Sequence, residues 1–219
     1  MEVQELLQIN SIANNFIAQL RDKEIQKDRM RFRKNIERLG EILAYELSKE
    51  LNFSSEKIAT PLGESTVNVL RNELVICSIL RAGLPLHQGI LNYFDEAENS
   101  FISAYRHHPN NDENFEVLVE YLASPSLENK TLILADPMLA TGRSFTNVLK
   151  ALEPMGKPAK IHLVSVIGSE EGIEYLKQEF PENSKLWIAT IDKSLDKNGY
   201  IVPGLGDAGD LCFGGKLQH

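Results

Sequence analysis

The residues best suited to do chemistry follow an apolar stretch, Thr131-Leu132-Ile133-Leu134-Ala135. They form the loop Asp136-Pro137-Met138-Leu139-Ala140-Thr141-Gly142-Arg143-Ser144, which gives way to a helical pattern as far as Met155. A strand, a loop of small and hydroxyl residues and a helix start together make an anion site, because free N–H groups and the helix dipole converge on one phosphate. Thr141 and Ser144 add hydroxyl donors, and Gly142 lets the backbone approach closely. Asp136 precedes this cradle, where a carboxylate can accept both hydroxyls of a ribose whose phosphate sits in the loop.

Two arginines stand at the ends of other apolar runs. Residues 74–80 lead into Arg81-Ala82-Gly83, and 101–105 lead into Arg106. Guanidinium groups at neighbouring strand mouths suit a pyrophosphate, whose paired anionic oxygens match the arginine fork. Such donors matter most as charge builds on a leaving group, which gives Arg81 and Arg106 a catalytic as well as a binding use. The third place is the tail, Tyr200-Ile201-Val202-Pro203-Gly204-Leu205-Gly206-Asp207-Ala208-Gly209-Asp210. Its glycines would weaken a packed strand, so the backbone itself is wanted at a surface.

These residues need elements to hold them, and the chain supplies a regular series. Apolar runs at 74–80, 101–105, 131–135, 161–167 and 186–191 alternate with helical patterns at 84–94, 144–155 and 169–179. That alternation predicts an α/β fold, a doubly wound, mainly parallel sheet with crossover helices. Ligands of such sheets bind beyond the carboxyl ends of the strands, where all three segments lie. Upstream, Ile36, Leu39, Leu43 and Leu47 recur at steps of three and four, predicting a long amphipathic helix capped by Asp28. Residues 54–71, with Pro61 and Gly63, read as a small hairpin, which together with the tail is expected to form a hood over the site.

Composition bounds the function. A chain of 219 residues, 42% hydrophobic and 25% charged, can bury a full core and is read as one domain, 1–219. No apolar run approaches the roughly 18 residues of a membrane helix, and the polar, acidic start carries no secretory pattern, so a cytoplasmic protein is expected. Thirty-one acidic against 23 basic side chains leave a net charge of −8, which repels a nucleic acid. The basic cluster Arg29, Arg31, Arg33, Lys34 and Arg38 alternates with acids and reads as a solvated helix face or subunit contact. Cys77 and Cys212 lack the spacing of a disulfide framework or zinc site, and His107, His108, Asp112 and Glu113 fit no ligand pattern, so no metal held by the protein alone is expected.

The string Asp136 to Ser144 resembles the phosphoribosyltransferase family, in the form typical of its uracil-specific branch. Ile79-Leu80-Arg81-Ala82-Gly83-Leu84 and Ala104-Tyr105-Arg106 resemble that branch's pyrophosphate-binding segments, and Tyr200 to Asp210 its uracil-binding signature. Gly168-Ser169-Glu170-Glu171-Gly172 and Ile188-Ala189-Thr190-Ile191-Asp192 keep its order as well. The resemblance implies that uracil and 5-phosphoribosyl 1-pyrophosphate give UMP and pyrophosphate. It implies that Arg81, Arg106 and residues 136–144 hold the sugar pyrophosphate, that the backbones of Ile201, Gly206 and Ala208 read uracil beside Asp207, and that Asp207 faces the sugar pyrophosphate and its magnesium. It also implies a homo-oligomer and allows GTP as an effector. The alternative is a regulator that keeps the fold to sense these ligands without catalysis.

The chain departs from the branch in places. Pro85-Leu86-His87, His107-His108 and Leu211-Cys212-Phe213-Gly214-Gly215 replace its usual residues, and Arg143 stands where it has glycine. Arginine would resist a left-handed turn that glycine allows, or it could add a phosphate contact.

Overall fold

The computed structural model describes residues 1–107 and 116–217, with the backbone alone described at 104–107 and 116–120. In chain order its strands are β1 (Glu2–Glu5), β2 (Phe53–Thr60), β3 (Gly63–Leu70), β4 (Leu74–Leu80), β5 (Glu98–His107), β6 (Glu116–Ala123), β7 (Thr131–Ala135), β8 (Met138–Leu139), β9 (Lys160–Ser169), β10 (Lys185–Asp192), β11 (Ser194–Leu195) and β12 (Ile201–Val202). The α-helices are α1 (Ile12–Arg21), α2 (Arg29–Ser48), α3 (Gly83–Leu91), α4 (Arg143–Leu152), α5 (Glu170–Glu179) and α6 (Ala208–Phe213).

The main sheet runs β1-β10-β9-β7-β4-β5-β6, with β8 on the end of β9. Every pairing in it is parallel except β5 with β6. The chain leaves β4 for β5 on one side and later fills β7, β9 and β10 on the other, so the order reverses between β4 and β7. That reversal opens a crevice at the carboxyl ends of these two strands.

Side chains alternate along each buried strand and feed two cores. Ile76 and Ile133 join Phe32, Ile36, Leu39, Leu43, Leu86 and Ile90 from α2 and α3 on one face. Val75, Cys77, Leu132 and Leu134 join Phe145, Val148, Leu152, Ile173 and Leu176 from α4 and α5 on the other. Helices therefore cover both faces, as the alternation of apolar runs predicts. Asp28 caps α2, accepting from the Arg31 N–H, and Ile36, Leu39, Leu43 and Leu47 are all fully buried.

Several elements go beyond the sequence reading, the short β8, β11, β12 and α6 among them. β1 adds an edge strand beside β10, α1 follows with a Ser11/Asn14 capping box, and β6 turns back antiparallel along β5. The β2–β3 hairpin forms where residues 54–71 place it, but its residues are exposed on both faces up to Val69 and Leu70, apart from half-buried Glu56. Among the described residues it projects as an arm and covers nothing, which leaves the tail as the part of the expected hood that lies at the site. The histidine-bearing loop at 108–115 lies outside the described residues.

Candidate active site

The phosphate loop is tied down at each step. Asp136 follows β7 and is 9% exposed; its Oδ1 accepts the Met138 N–H at 3.2 Å, and its carbonyl accepts the Ser165 hydroxyl at 2.7 Å. The Pro137 carbonyl takes the N–H groups of Val166 and Ile167 at 3.1 and 3.0 Å. Met138 and Leu139 then pair with Ile167 and Gly168. Ser169 clamps the next residue: its hydroxyl donates to the Ala140 carbonyl at 2.6 Å and accepts from the Gly172 N–H at 2.9 Å, capping α5. A Cβ on Gly172 would stand 2.1 Å from the Ala140 oxygen, so only glycine lets α5 come this close.

The loop turns into α4 through Gly142, whose φ of +76° is left-handed. This answers the question raised by Arg143. The left-handed position is Gly142, while Arg143 opens the helix with ordinary backbone that any residue adopts, its side chain exposed. No side chain caps α4, whereas Ser169 caps α5. Among the described residues the N-cap of α4 thus gives its first N–H groups no side-chain partner, and Thr141 and Ser144 beside them are half-buried, an arrangement that suits a phosphate.

Across the crevice, β4 ends at Leu80 and the chain enters α3 after only Arg81 and Ala82. Ser78 pairs with Ala135 and Leu80 with Ser103, which places the ends of β4, β7 and β5 side by side. Arg106 lies farther along β5, opposite Val117 on β6. Its side chain lies outside what is described.

The tail folds back onto Arg81. Arg81 donates from Nη2 to Asp210 Oδ1 at 2.8 Å and from Nη1 to the Gly214 carbonyl at 3.3 Å. Asp207 caps the short α6 by accepting from the Asp210 N–H at 3.0 Å, and its other oxygen is 3.7 Å from Lys216 Nζ. Ile201 and Ala208 are buried, Gly206 is exposed with φ of +89°, and Asp207 is half-buried. The structure therefore brings Arg81, Asp207 and the Tyr200 to Asp210 tail together at the mouth of β4, with Asp136 and the loop that follows it on the adjoining strand.

The tail is held by residues to which sequence reasoning gives no role there. Arg21, at the end of α1, grips Asp192 with two bonds of 2.7 and 2.8 Å and also donates to the Gly204 carbonyl at 3.1 Å. Asp192 in turn accepts the Gly204 N–H at 2.8 Å. Burial works to raise the Asp192 carboxyl's pKa, but the Arg21 bonds and the Gly204 N–H win and hold it below the ordinary carboxylate range. The basic stripe of α2 also divides. Arg33 donates to the Cys212 carbonyl at 2.6 Å and stands over the Phe213 ring, whereas Arg31 and Lys34 pair with Asp28 and Glu37 of their own helix. Part of that face is a tail contact rather than a solvated surface.

A family model described as uracil phosphoribosyltransferase matches residues 8–215. The chain belongs to the uracil phosphoribosyltransferase family. A Porphyromonas gingivalis uracil phosphoribosyltransferase is 49% identical over 217 residues, covering 99% of this chain and all of the relative. Its counterpart from Methanococcus vannielii is 41% identical, covering 88% of this chain and 82% of that one. Among solved structures, an Aquifex aeolicus protein superposes with a TM-score of 0.86 at 29% identity, covering 99% and 100% of the two chains. A Staphylococcus aureus hypoxanthine phosphoribosyltransferase shares the fold at a TM-score of 0.51 and 16% identity, over 74% of this chain and 76% of its own.

Proposed function

We propose that this protein joins uracil to 5-phosphoribosyl 1-pyrophosphate, giving UMP and pyrophosphate. The observation that carries the reading is the meeting of the tail with Arg81: one ion pair, Arg81 with Asp210, ties the base-reading segment to the pyrophosphate side of the crevice. The phosphate loop and α4 take the 5′-phosphate, and Asp136 takes the ribose hydroxyls. Arg81 and Arg106 take the pyrophosphate.

In the reaction the C1′–O bond to pyrophosphate breaks, positive charge develops on the sugar, and uracil N1 forms the new bond at C1′ while losing its proton. Positioning and charge stabilisation supply most of the acceleration. Uracil offers acceptor, donor, acceptor along O2, N3 and O4. Backbone N–H, C=O and N–H groups from Ile201, Gly206 and Ala208 answer that pattern, and a base with reversed polarity leaves buried groups unpaired, which discriminates by roughly 10⁴-fold.

Magnesium fits this donor set. No group of three His, Cys, Asp or Glu side chains gathers as a ligand set among the described residues, and on this reading an ion carried on phosphate oxygens would take Asp207 and Asp136 as its carboxylates. When bound, the ion would neutralise charge on the leaving pyrophosphate. Self-association is supported by the β2–β3 arm, since a two-stranded hairpin exposed on both faces gains little from its own chain. A GTP effector rests on the family resemblance alone. A cytoplasmic setting is supported by the charged substrate and product, which do not cross a bilayer unaided.

The sensor alternative would tolerate loss of Arg81, Asp136 and Asp207, and the enzyme would not. The test is incubation of the purified protein with the sugar pyrophosphate, magnesium and a panel of bases. Pyrophosphate release with uracil alone is expected; release with cytosine within tenfold of uracil would sink the backbone reader, and no release with any base would sink the enzyme.

A further inference from the structure

Inside the sheet, away from every residue assigned a ligand, lies a hydrogen-bonded chain of Ser78, His87 and Asn99. Ser78 Oγ is 2.7 Å from His87 Nδ1, and His87 Nε2 is 2.7 Å from Asn99 Oδ1. Asn99 Nδ2 donates to the Ala97 carbonyl at 3.1 Å, which orients the amide so that its oxygen faces the imidazole. His87 therefore carries its proton on Nε2, and Nδ1 is the acceptor that receives the Ser78 hydroxyl. Ser78 is fully buried, His87 is 4% exposed and Asn99 sits at the solvent edge.

The placement of these residues matters more than their chemistry. Ser78 lies on β4 three residues before Arg81, and Asn99 lies on β5, the strand that carries Arg106. The register pairs Ile76 with Asn99 and Ser78 with Phe101, so all four project from one face of the sheet. His87, one turn into α3, lies across that face with its ring 4.8 Å from the Phe101 ring. The start of α3 sits equally close: a Cβ on Gly83 would be 3.3 Å from both Ser78 Cβ and the Ala135 carbonyl. One imidazole thus joins α3, β4 and β5, the helix and strands that frame Arg81 and lead to Arg106. Burial lowers the His87 pKa and keeps the ring neutral, the form this chain of bonds needs.

We propose that His87 is a positioning residue for the pyrophosphate half of the site, fixing the ends of β4 and β5 relative to each other through Ser78 and Asn99. This rests on the functional reading above and deepens it. The uracil reader belongs to the tail, which His87 does not touch, so the two halves of the site should respond differently.

Steady-state kinetics on the parent, His87→Leu and His87→Gln, with inhibition by inorganic pyrophosphate, test it. His87→Leu is expected to raise the KM for the sugar pyrophosphate and weaken pyrophosphate inhibition by about tenfold, within the range that a misplaced group costs. The KM for uracil should stay within about twofold. His87→Gln retains an N–H for Asn99 and should recover part of the loss. Ser78→Ala removes only one hydroxyl and serves if the leucine variant fails to fold; pyrophosphate inhibition about threefold weaker, with the uracil KM unchanged, is expected. Equal rises in both KM values, or pyrophosphate inhibition unchanged in a folded Ser78→Ala, would overturn the proposal. A parent that makes no UMP would overturn the functional reading with it, whereas an active parent with unresponsive variants would overturn only the role of His87.

Discussion

Asp136 is nearly buried at the end of a strand buried along its whole length, and a carboxylate kept there must earn its desolvation through specific bonds. Its contact with the Met138 N–H fixes one oxygen, and a ribose diol is the partner the reading gives it. Asp136→Asn keeps the size and loses the charge, so the KM for the sugar pyrophosphate should rise and kcat should fall, together costing at least about tenfold in kcat/KM. Unchanged initial-rate constants would remove Asp136 from the site. Arg143 calls for the opposite expectation. Because the left-handed turn belongs to Gly142, Arg143→Gly relieves no strain and removes at most one charge-assisted contact, about 1.5–3 kcal/mol, so activity should remain within about tenfold. Complete inactivity of the folded variant would make Arg143 essential. The loop residues were legible because a single string carries them. The pairing of Arg21 with Asp192 was not, because an ion pair between positions 171 residues apart leaves no local pattern.

The long apolar repeats of α2 and the runs of β4, β7, β9 and β10 could be read directly, since both faces of the sheet are covered and buried strands show as near-continuous apolar stretches. β1 escapes such reading: its four residues include two glutamates, and only pairing with β10 makes it a strand. β6 is an antiparallel edge with charges at Glu116 and Glu120, which break its apolar run. α1 did leave a signal, the Ser11 cap with Ala13, Ile17 and Leu20 at steps of four and three. The junction of α5 with the phosphate loop gives a test at this scale. Gly172→Ala puts a methyl group against the Ala140 carbonyl and must push α5 or the loop away. A stability loss of about 1–3 kcal/mol, with a higher KM for the sugar pyrophosphate, is expected from chemical denaturation and kinetics. A variant as stable and as active as the parent would show that the loop does not depend on this contact.

Across the whole molecule, the site sits at the carboxyl ends of the strands while the amino-terminal edge carries a different cluster. There His162 is fully buried, accepts the Trp187 indole N–H at 3.0 Å through Nδ1, and has no partner for Nε2 among the described residues. Burial, with help from the charges of Lys160 and Lys185 against that of Glu50, pushes its pKa down to about 4. The unfolded chain takes up this proton near pH 6.5 and the folded protein resists it. Stability is therefore intact above about pH 6.5 and declines by up to about 1.4 kcal/mol per unit as the pH falls toward 4. Thermal unfolding across that window should show a shallower slope for His162→Asn, which keeps an acceptor for the indole. Identical slopes would place the acid sensitivity elsewhere.

The ion pair between Arg81 and Asp210 also has a bearing on how the two substrates communicate. On the proposed reading, a pyrophosphate at Arg81 would compete for the same Nη2 that Asp210 holds, and Asp210 lies two residues beyond Ala208 on α6, which carries the end of the proposed base reader. Occupancy of one half-site can then change the free energy of the other, and thermodynamic reciprocity requires equal factors in both directions. Titration calorimetry should find that pyrophosphate alters the dissociation constant of uracil by the same ratio by which uracil alters that of pyrophosphate. A ratio of one would mean that the exchange at Arg81 is silent, and a ratio that departs from one in the parent but returns to one in Asp210→Asn would make this single guanidinium the joint through which a sugar and a base sense each other.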